Sequence, residues 1–324
     1  MGAWSSVLGG FPRSRHVRKV LRDYERGSVT HGELEAAVAE ASALLIGAQL
    51  AAGLTYVTDG MVDWHDIFRP FVESWRNVTP TGLLRYFDNN YFYRIPLFTG
   101  KPEPKGLVLA PRVRRFAKLA EPAGLKVVLP GPYTFAAMSE VRGLEREELA
   151  EAIAKLMGSE VRAAVEAGAR AVQIDEPLLS DQEAERDEAV LAAELASKVA
   201  KEAGEAKTIL AVYFDVPKAE VYEALLEAKV SCLSLDVIDA PERAAKLIAS
   251  KGLKEGCAAL GLINARNVYD DDLGKLEELF LSLTKGYEGE PGVTTSTWLD
   301  LLPYEYGIRK ARILGLLAQR LGVR

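Results

Sequence analysis

Val172-Gln173-Ile174-Asp175-Glu176-Pro177 is an apolar run that ends abruptly in two acids and a proline. A short hydrophobic segment without polar alternation is buried on both faces, as a parallel strand under covering helices is. Its ending places Asp175 and Glu176 at a strand terminus. Working outward, comparable runs lie at 6–9, 55–58, 126–129, 208–214, 230–236, 257–262 and 292–296, which with 171–175 makes eight strands. Helical patterns separate them, at 145–168, 182–203, 217–228, 240–251, 272–285 and 304–321. The clearest helix opens at Thr30-His31-Gly32-Glu33, where Thr30 and Glu33 can satisfy each other's free N–H groups. Leu34, Val38, Ala41, Leu45 and Ala48 follow as one apolar stripe. Eight strands alternating with helices predict an α/β fold, a single (β/α)8 TIM-type barrel spanning 1–324 as one domain. Residues 76–112 interrupt the repeat with a strand-like 93–98 and the prolines Pro96, Pro102 and Pro104. They read as an excursion between barrel strands 2 and 3, a hairpin folded over the mouth.

The composition narrows the function. The chain has 324 residues, and its 48% hydrophobic content is ample for a large core. Its 40 basic and 46 acidic residues are well mixed, so no nucleic-acid footprint is expected. The start, Met1-Gly2-Ala3-Trp4, has neither the charged nor the apolar region of a signal peptide, and no run of about 18 apolar residues suggests a membrane span. A cytoplasmic protein is expected. Cys232 and Cys257 point to a reducing compartment and read as two buried thiols; the other reading is a disulfide between neighbouring strands. Abundant charge with few Gln, Asn, Cys and Met gives a thermophile-like balance.

Strand ends at one rim of a barrel are where its chemistry gathers. Asp175 there can hold an ammonium group or accept a proton, or else cap the turn before Pro177. Asp59 ends the second strand in the same way, ahead of Trp64-His65-Asp66. His65 and Asp66 are sequence neighbours that do not face each other on a helix, so Asp66 reads equally well as a first-turn residue. Arg13, Arg15, His16, Arg18 and Lys19 follow the first strand as a cluster able to clamp a carboxylate or phosphate, or form a solvated helix start. Tyr213 and Asp215, Asp236, Asn264 with Arg266 and Asn267, and Ser296 with Thr297 end the later strands. Together they describe a polar pocket, with solvated loop residues as the alternative for each. Asp175, Asp59 and Tyr213 are the catalytic candidates; Glu176 joins the others as a substrate-binding candidate. No metal site is expected: the three histidines form no ligand pair with a cysteine or with each other. Nucleotide-binding fingerprints are missing as well.

Several peptides, in order along the chain, resemble the cobalamin-independent methionine synthases. They are Gly9-Gly10-Phe11-Pro12-Arg13, Asp88-Asn89-Asn90-Tyr91 with Tyr93, Gly131-Pro132-Tyr133-Thr134-Phe135, Gln173 to Pro177, the Arg266-Asn267 stretch, and Thr295 to Leu299. The likeness is to the N-terminal half of those two-barrel enzymes. It implies that Arg15, Arg18 and Lys19 hold the anionic tail of a methylated folate or related pterin. It also implies that Asp175 matches the Asp that contacts the substrate amine. In the catalytic half zinc is held by His, Cys, Glu and Cys; the corresponding places here are Tyr213, Asp215, a position near Asp236, and Thr297. Gly10 and Met61 stand where that half holds homocysteine with Ser and Glu. The resemblance therefore implies a component of methionine biosynthesis without a cofactor in this chain, zinc being carried by a partner barrel subunit and homocysteine a possible ligand. A metal-independent small-molecule enzyme on the same barrel, or a non-catalytic binding paralogue, are the alternatives.

Overall fold

The structure, a computed structural model, describes residues 3–87 and 91–322. Its strands are β1 (Trp4–Ser6), β2 (Tyr56–Val57), β3 (Trp75–Arg85), β4 (Phe92–Pro104), β5 (Gly124–Pro130), β6 (Glu140–Val141), β7 (Ala171–Asp175), β8 (Lys207–Val212), β9 (Cys232–Asp236), β10 (Cys257–Ile263) and β11 (Glu290–Thr295). Eight of them form one sheet in the order β1-β11-β10-β9-β8-β7-β5-β2, every paired neighbour parallel. The remaining seam, between β1 and β2, is closed by side chains. Ser5 N donates to Thr55 Oγ1 at 3.1 Å, and Thr55 N donates back to Ser5 Oγ at 3.3 Å. The predicted barrel is therefore the observed one.

The first strand lies earlier than the sequence pattern suggested. Trp4 to Ser6 pair with Gly292 to Thr294, after which Leu8 N turns to the Thr295 hydroxyl at 2.9 Å and leaves the ladder. Thr30 caps helix His31–Ala51 as expected, with Glu33 returning a carboxylate to the Thr30 N–H at 2.7 Å. Among the described residues this helix alone has the length and apolarity to cross a bilayer. It packs Val38, Ala41, Leu45 and Ile46 into the core as one of the barrel's covering helices.

The excursion is an antiparallel β3–β4 hairpin, extended by β6 alongside β4. Aromatic packing fastens its root to the barrel. Trp75 stacks on Phe135 with centroids 5.5 Å apart, and Phe98 and Phe68 close on the same ring at 5.9 and 4.8 Å. Each such pair contributes about 1 kcal/mol beyond the area it buries.

At the opposite end of the barrel the two cysteines depart from the expected thiols. Register places Ala258 beside Leu233, so Cys257 and Cys232 lie side by side at the starts of adjacent strands, with Cα atoms 4.5 Å apart. They form a disulfide, walled in by Trp4, Ile209 and Ala259. Closing a loop with a sequence separation of 25 restricts the unfolded chain. Replacing both cysteines by alanine should lower the unfolding free energy by about 3 kcal/mol in urea titrations. A pair of variants matching the oxidised parent would mean that the cross-link contributes nothing.

Candidate active site

A buried polar chain runs from the barrel interior to its mouth. Lys126, on β5, is almost fully enclosed and places its three N–H donors on Val7 O (2.7 Å), Leu8 O (3.2 Å) and Gln173 Oε1 (2.6 Å). An ammonium only donates, so it selects the oxygen of the Gln173 amide and turns the amide NH2 away. That NH2 donates to Asp175 Oδ1 at 2.7 Å. Asp175 Oδ2 accepts from Tyr213 Oη at 3.0 Å and from Trp298 Nε1 at 2.9 Å. Burial pushes Asp175 up to about 6, opposed by these three donors and by the Lys126 charge. Burial draws Lys126 down to about 7, opposed by Asp175. Burial likewise holds the Tyr213 phenol well above its ordinary value, so at neutral pH it is a donor to Asp175 and not a base. Trp298 reaches this position because residue 9 is glycine: a Cβ there would lie 2.1 Å from the indole nitrogen.

Above this chain two spaces adjoin. A narrow pocket of about 20 Å³, room for about one water, is lined by Ile67, Tyr86, Tyr91, Tyr213, Phe214, Thr297, Trp298, Asp300 and Leu301. Phe214 holds φ at 85°, a conformation that costs roughly 1–3 kcal/mol and is characteristic of sites under functional constraint. The pocket shares Tyr91, Trp298, Asp300 and Leu301 with a cleft of about 640 Å³. Arg13, Arg15, Arg18 and His65 line that cleft. Arg13 is committed to the chain itself, donating to Val62 O at 2.7 Å and to Trp64 O. Arg15 and Arg18 are exposed, and among the described residues neither has an ion-pair partner.

The structure thus brings Tyr213 and Thr297 to the pocket, buries Asp175 behind Tyr213 and Trp298, and brings Arg13, Arg15 and Arg18 to the cleft. It disperses the remaining candidates. His16 and Lys19 lie off the cleft on the exposed side of helix Arg15–Glu25, where Lys19 pairs with Asp23 at 2.6 Å. Asp59 is engaged by Arg112 Nε at 2.6 Å, while the two terminal nitrogens of Arg112 grip Asp63 at 2.7 and 2.9 Å. Glu176 caps the short helix Pro132–Ala137, accepting from Tyr133 N at 3.0 Å and Thr134 N at 2.7 Å. Its carboxylate fills the place that a Cβ on Gly131 would take. Asp66 is the first-turn residue of the alternative reading, accepting from Phe68 N and Arg69 N at 2.9 and 2.8 Å. Asn264 and Asn267 close turns onto Arg266 N and Tyr269 N, Arg266 pairs with Asp239 at 2.6 Å, and Ser296 Oγ accepts from Ala265 N. Asp236 is buried beneath backbone donors from Ile238 and Asp239. Asp88, Asn89 and Asn90 lie outside the described residues.

A zinc ion held as in the catalytic half of the resembled enzymes does not fit these positions. Tyr213 is spent on Asp175, Asp215 is paired with Arg243, and Thr297 brings only a hydroxyl. Among the described residues no three His, Cys, Asp or Glu side chains converge on a common point where a metal could sit. Both sulfurs are locked in the disulfide at the far end of the barrel.

Lys126 and Asp300 were not singled out from the sequence. A lysine inside a predicted buried strand was the available signal for the first; nothing local marks the second. Burial pushes the partly enclosed Asp300 carboxyl up to about 7, with the Arg13 charge opposing. A carboxyl raised on folding stabilises the protein below about pH 4, and that stability is lost as pH rises through 7. Asp300→Asn should therefore be more stable than the parent at pH 8 by on the order of 2 kcal/mol, after allowing for solvent screening, and no more stable near pH 4. Urea unfolding at both pH values checks this; a pH-independent difference would contradict it.

The comparisons with known proteins agree with this geometry. A family model described as the N-terminal domain of cobalamin-independent synthase matches residues 73–287. A methionine synthase of Sulfurisphaera tokodaii is 28% identical over 176 residues, covering 54% of this chain and 52% of the relative. A 5-methyltetrahydropteroyltriglutamate–homocysteine methyltransferase of Bacillus cereus is 28% identical over 230 residues, covering 68% of this chain and 29% of the relative. The chain thus matches about half the length of the first relative and under a third of the second. The B12-independent methionine synthase of Shewanella sp. W3-18-1, solved with selenomethionine, superposes with a TM-score of 0.82 at 17% identity, covering 99% of this chain and 98% of that one. A putative vitamin-B12 independent methionine synthase from Listeria monocytogenes gives 0.75 at 17% identity, with 99% of each chain covered. With two-thirds of its length matched by the family model and the fold shared throughout, the chain belongs to the cobalamin-independent methionine synthase family, on the side of its N-terminal domain.

Proposed function

We propose that this chain is the zinc-free barrel of a split cobalamin-independent methionine synthase, acting in the cytoplasm on methyl transfer from a methylated pterin to homocysteine. The observation that carries the reading is the family match to the N-terminal domain, joined to a cleft whose exposed Arg15 and Arg18 have no anionic partner among the described residues. Two guanidinium groups there suit the carboxylates of a folate or related pterin tail. Arg13, tied to two backbone carbonyls, anchors the segment leading into helix Arg15–Glu25, from which they project.

The thiol of homocysteine requires a metal or a strong base to react at neutral pH. Tyr213 is held as a donor, and Asp175 is fully buried behind Tyr213 and Trp298, so neither reaches a bound thiol as that base. In this reading activation falls to a separate zinc-bearing barrel, and this chain binds and orients the methyl donor. A metal-independent reaction on this barrel, the alternative, would have Asp300 as its base, the carboxyl that lines the pocket.

Arg15→Ala combined with Arg18→Ala should weaken binding of a polyglutamylated methyl-pterin by about five- to tenfold, the value of two exposed charge contacts, and leave the monoglutamate within about twofold. Calorimetric titration of the tail series makes the comparison. Equal losses for every tail length would remove the tail clamp.

A further inference from the structure

The cleft of about 640 Å³ contains one carboxyl whose surroundings leave it incompletely satisfied. Asp300 lies shortly beyond β11 and lines the cleft beside Trp298 and Leu301. It is partly enclosed, and among the described residues it has no ion-pair partner. The Arg13 charge favours its ionised form, but two Arg13 nitrogens are given to Val62 O and Trp64 O. The backbone N–H groups of Asp300 and Leu301 favour it as well. A carboxylate has about four acceptor positions, so two backbone donors leave about half of them open. Acceptors held partly out of water are costly until a donor reaches them.

The rest of the wall narrows what that donor is. Phe11, Trp64, Tyr91, Trp298 and Tyr304 bring aromatic surface to the same cleft, with Trp64 and Trp298 6.4 Å apart. Aromatic surface beside a carboxylate suits a flat ring that carries N–H donors on one edge. An amino-pyrimidinone edge has two of them side by side, a ring N–H and an exocyclic amine. They form the same parallel pair that a guanidinium presents to the two oxygens of a carboxylate. An α-amino acid would offer an ammonium instead, but it would fill only a small part of the cleft. Glu305, the other carboxylate there, is exposed in the first turn of helix Tyr304–Arg320, where water can satisfy it.

We propose that Asp300 reads the amino-pyrimidinone edge of a pterin, accepting the ring N–H and the exocyclic amine in parallel while the ring lies against the aromatic wall. Arg15 and Arg18 line the same cleft, so one space serves both the ring and its anionic tail. The assignment rests on the reading of the cleft as a pterin site, and adds to it the residue that selects the ring. The tail contacts alone would accept any polyanion of suitable length; Asp300 supplies the discrimination they lack.

Calorimetric titration of the full chain with a tail-less methyl-tetrahydropterin, in the absence of oxygen and at pH 8, where Asp300 is ionised, tests the assignment. The ring should bind saturably, and its analogue with hydrogen in place of the exocyclic amine at least about tenfold more weakly. Asp300→Asn should weaken the ring at least about tenfold and the analogue by no more than about threefold. Equal affinities for ring and analogue, or equal losses for both in Asp300→Asn, would overturn Asp300 as the reader of that edge. Homocysteine binding that depends on Asp300, without ring binding, would make this an amine site and overturn the proposal too. If the tail-less ring does not bind while a polyglutamylated methyl-pterin does, this assignment falls and the tail clamp stands. If neither binds, the pterin reading falls with it. Should Asp300→Asn fail to fold, the comparison of ring with analogue on the unaltered chain still decides.

Discussion

A lysine ammonium enclosed within a barrel has to find three acceptors, and the mouth of this protein is arranged around the way Lys126 finds them. Two come from the carbonyls of Val7 and Leu8, just beyond β1, and the third from Gln173 on β7. Meeting that demand turns the Gln173 amide towards Asp175, which in turn draws in the Tyr213 hydroxyl and the Trp298 indole. One buried charge thus ties together the ends of β1, β5, β7 and β8 and the loop after β11. Such a pair adds little net stability over an apolar core, but removing either partner leaves the other uncompensated, at a cost of roughly 3–5 kcal/mol. Its contribution is to hold one arrangement of the mouth.

That arrangement determines what the site can do. Asp175 is sealed behind Tyr213 and Trp298, so it fixes those two rings at the mouth and does not meet a ligand itself. Asp300 lines both the pocket and the cleft, and Arg15, Arg18, His65 and Glu305 are further charged or titratable groups of the cleft. The barrel is furnished for holding a small charged molecule in a fixed direction. Among the described residues no three His, Cys, Asp or Glu side chains converge on a metal position, and the proposed division of labour assigns thiolate formation to a second barrel.

The architecture was legible because parallel strands under helices must be apolar throughout, and eight such runs stand out from the charged helices between them. The capping box at Thr30 and the hairpin ahead of Pro102 were likewise local patterns. Site residues were legible only where a strand end alone determined their direction, as with Asp175 and Tyr213. Asp59 read the same way, yet its fate depends on Arg112, 53 residues downstream, and no local pattern announces that pairing. Glu176 looked like a binding acid because its helix-capping role depends on Gly131 lying opposite, a relation set by β5–β7 register. The disulfide is a register effect too: composition argued for thiols, while alignment of β9 with β10 brought the two sulfurs together. Lys126 was visible as a charge in a buried strand, but its meaning lay in carbonyls 119 and 118 residues away.

The most direct test of the account is methyl transfer from a methylated pterin to homocysteine, measured with this chain alone, with a zinc-bearing barrel of the family alone, and with both, alongside the zinc content of each sample. The account predicts no stoichiometric zinc and no turnover for this chain by itself, with turnover when the zinc-bearing barrel is added. Bound zinc and turnover by the isolated chain would contradict it.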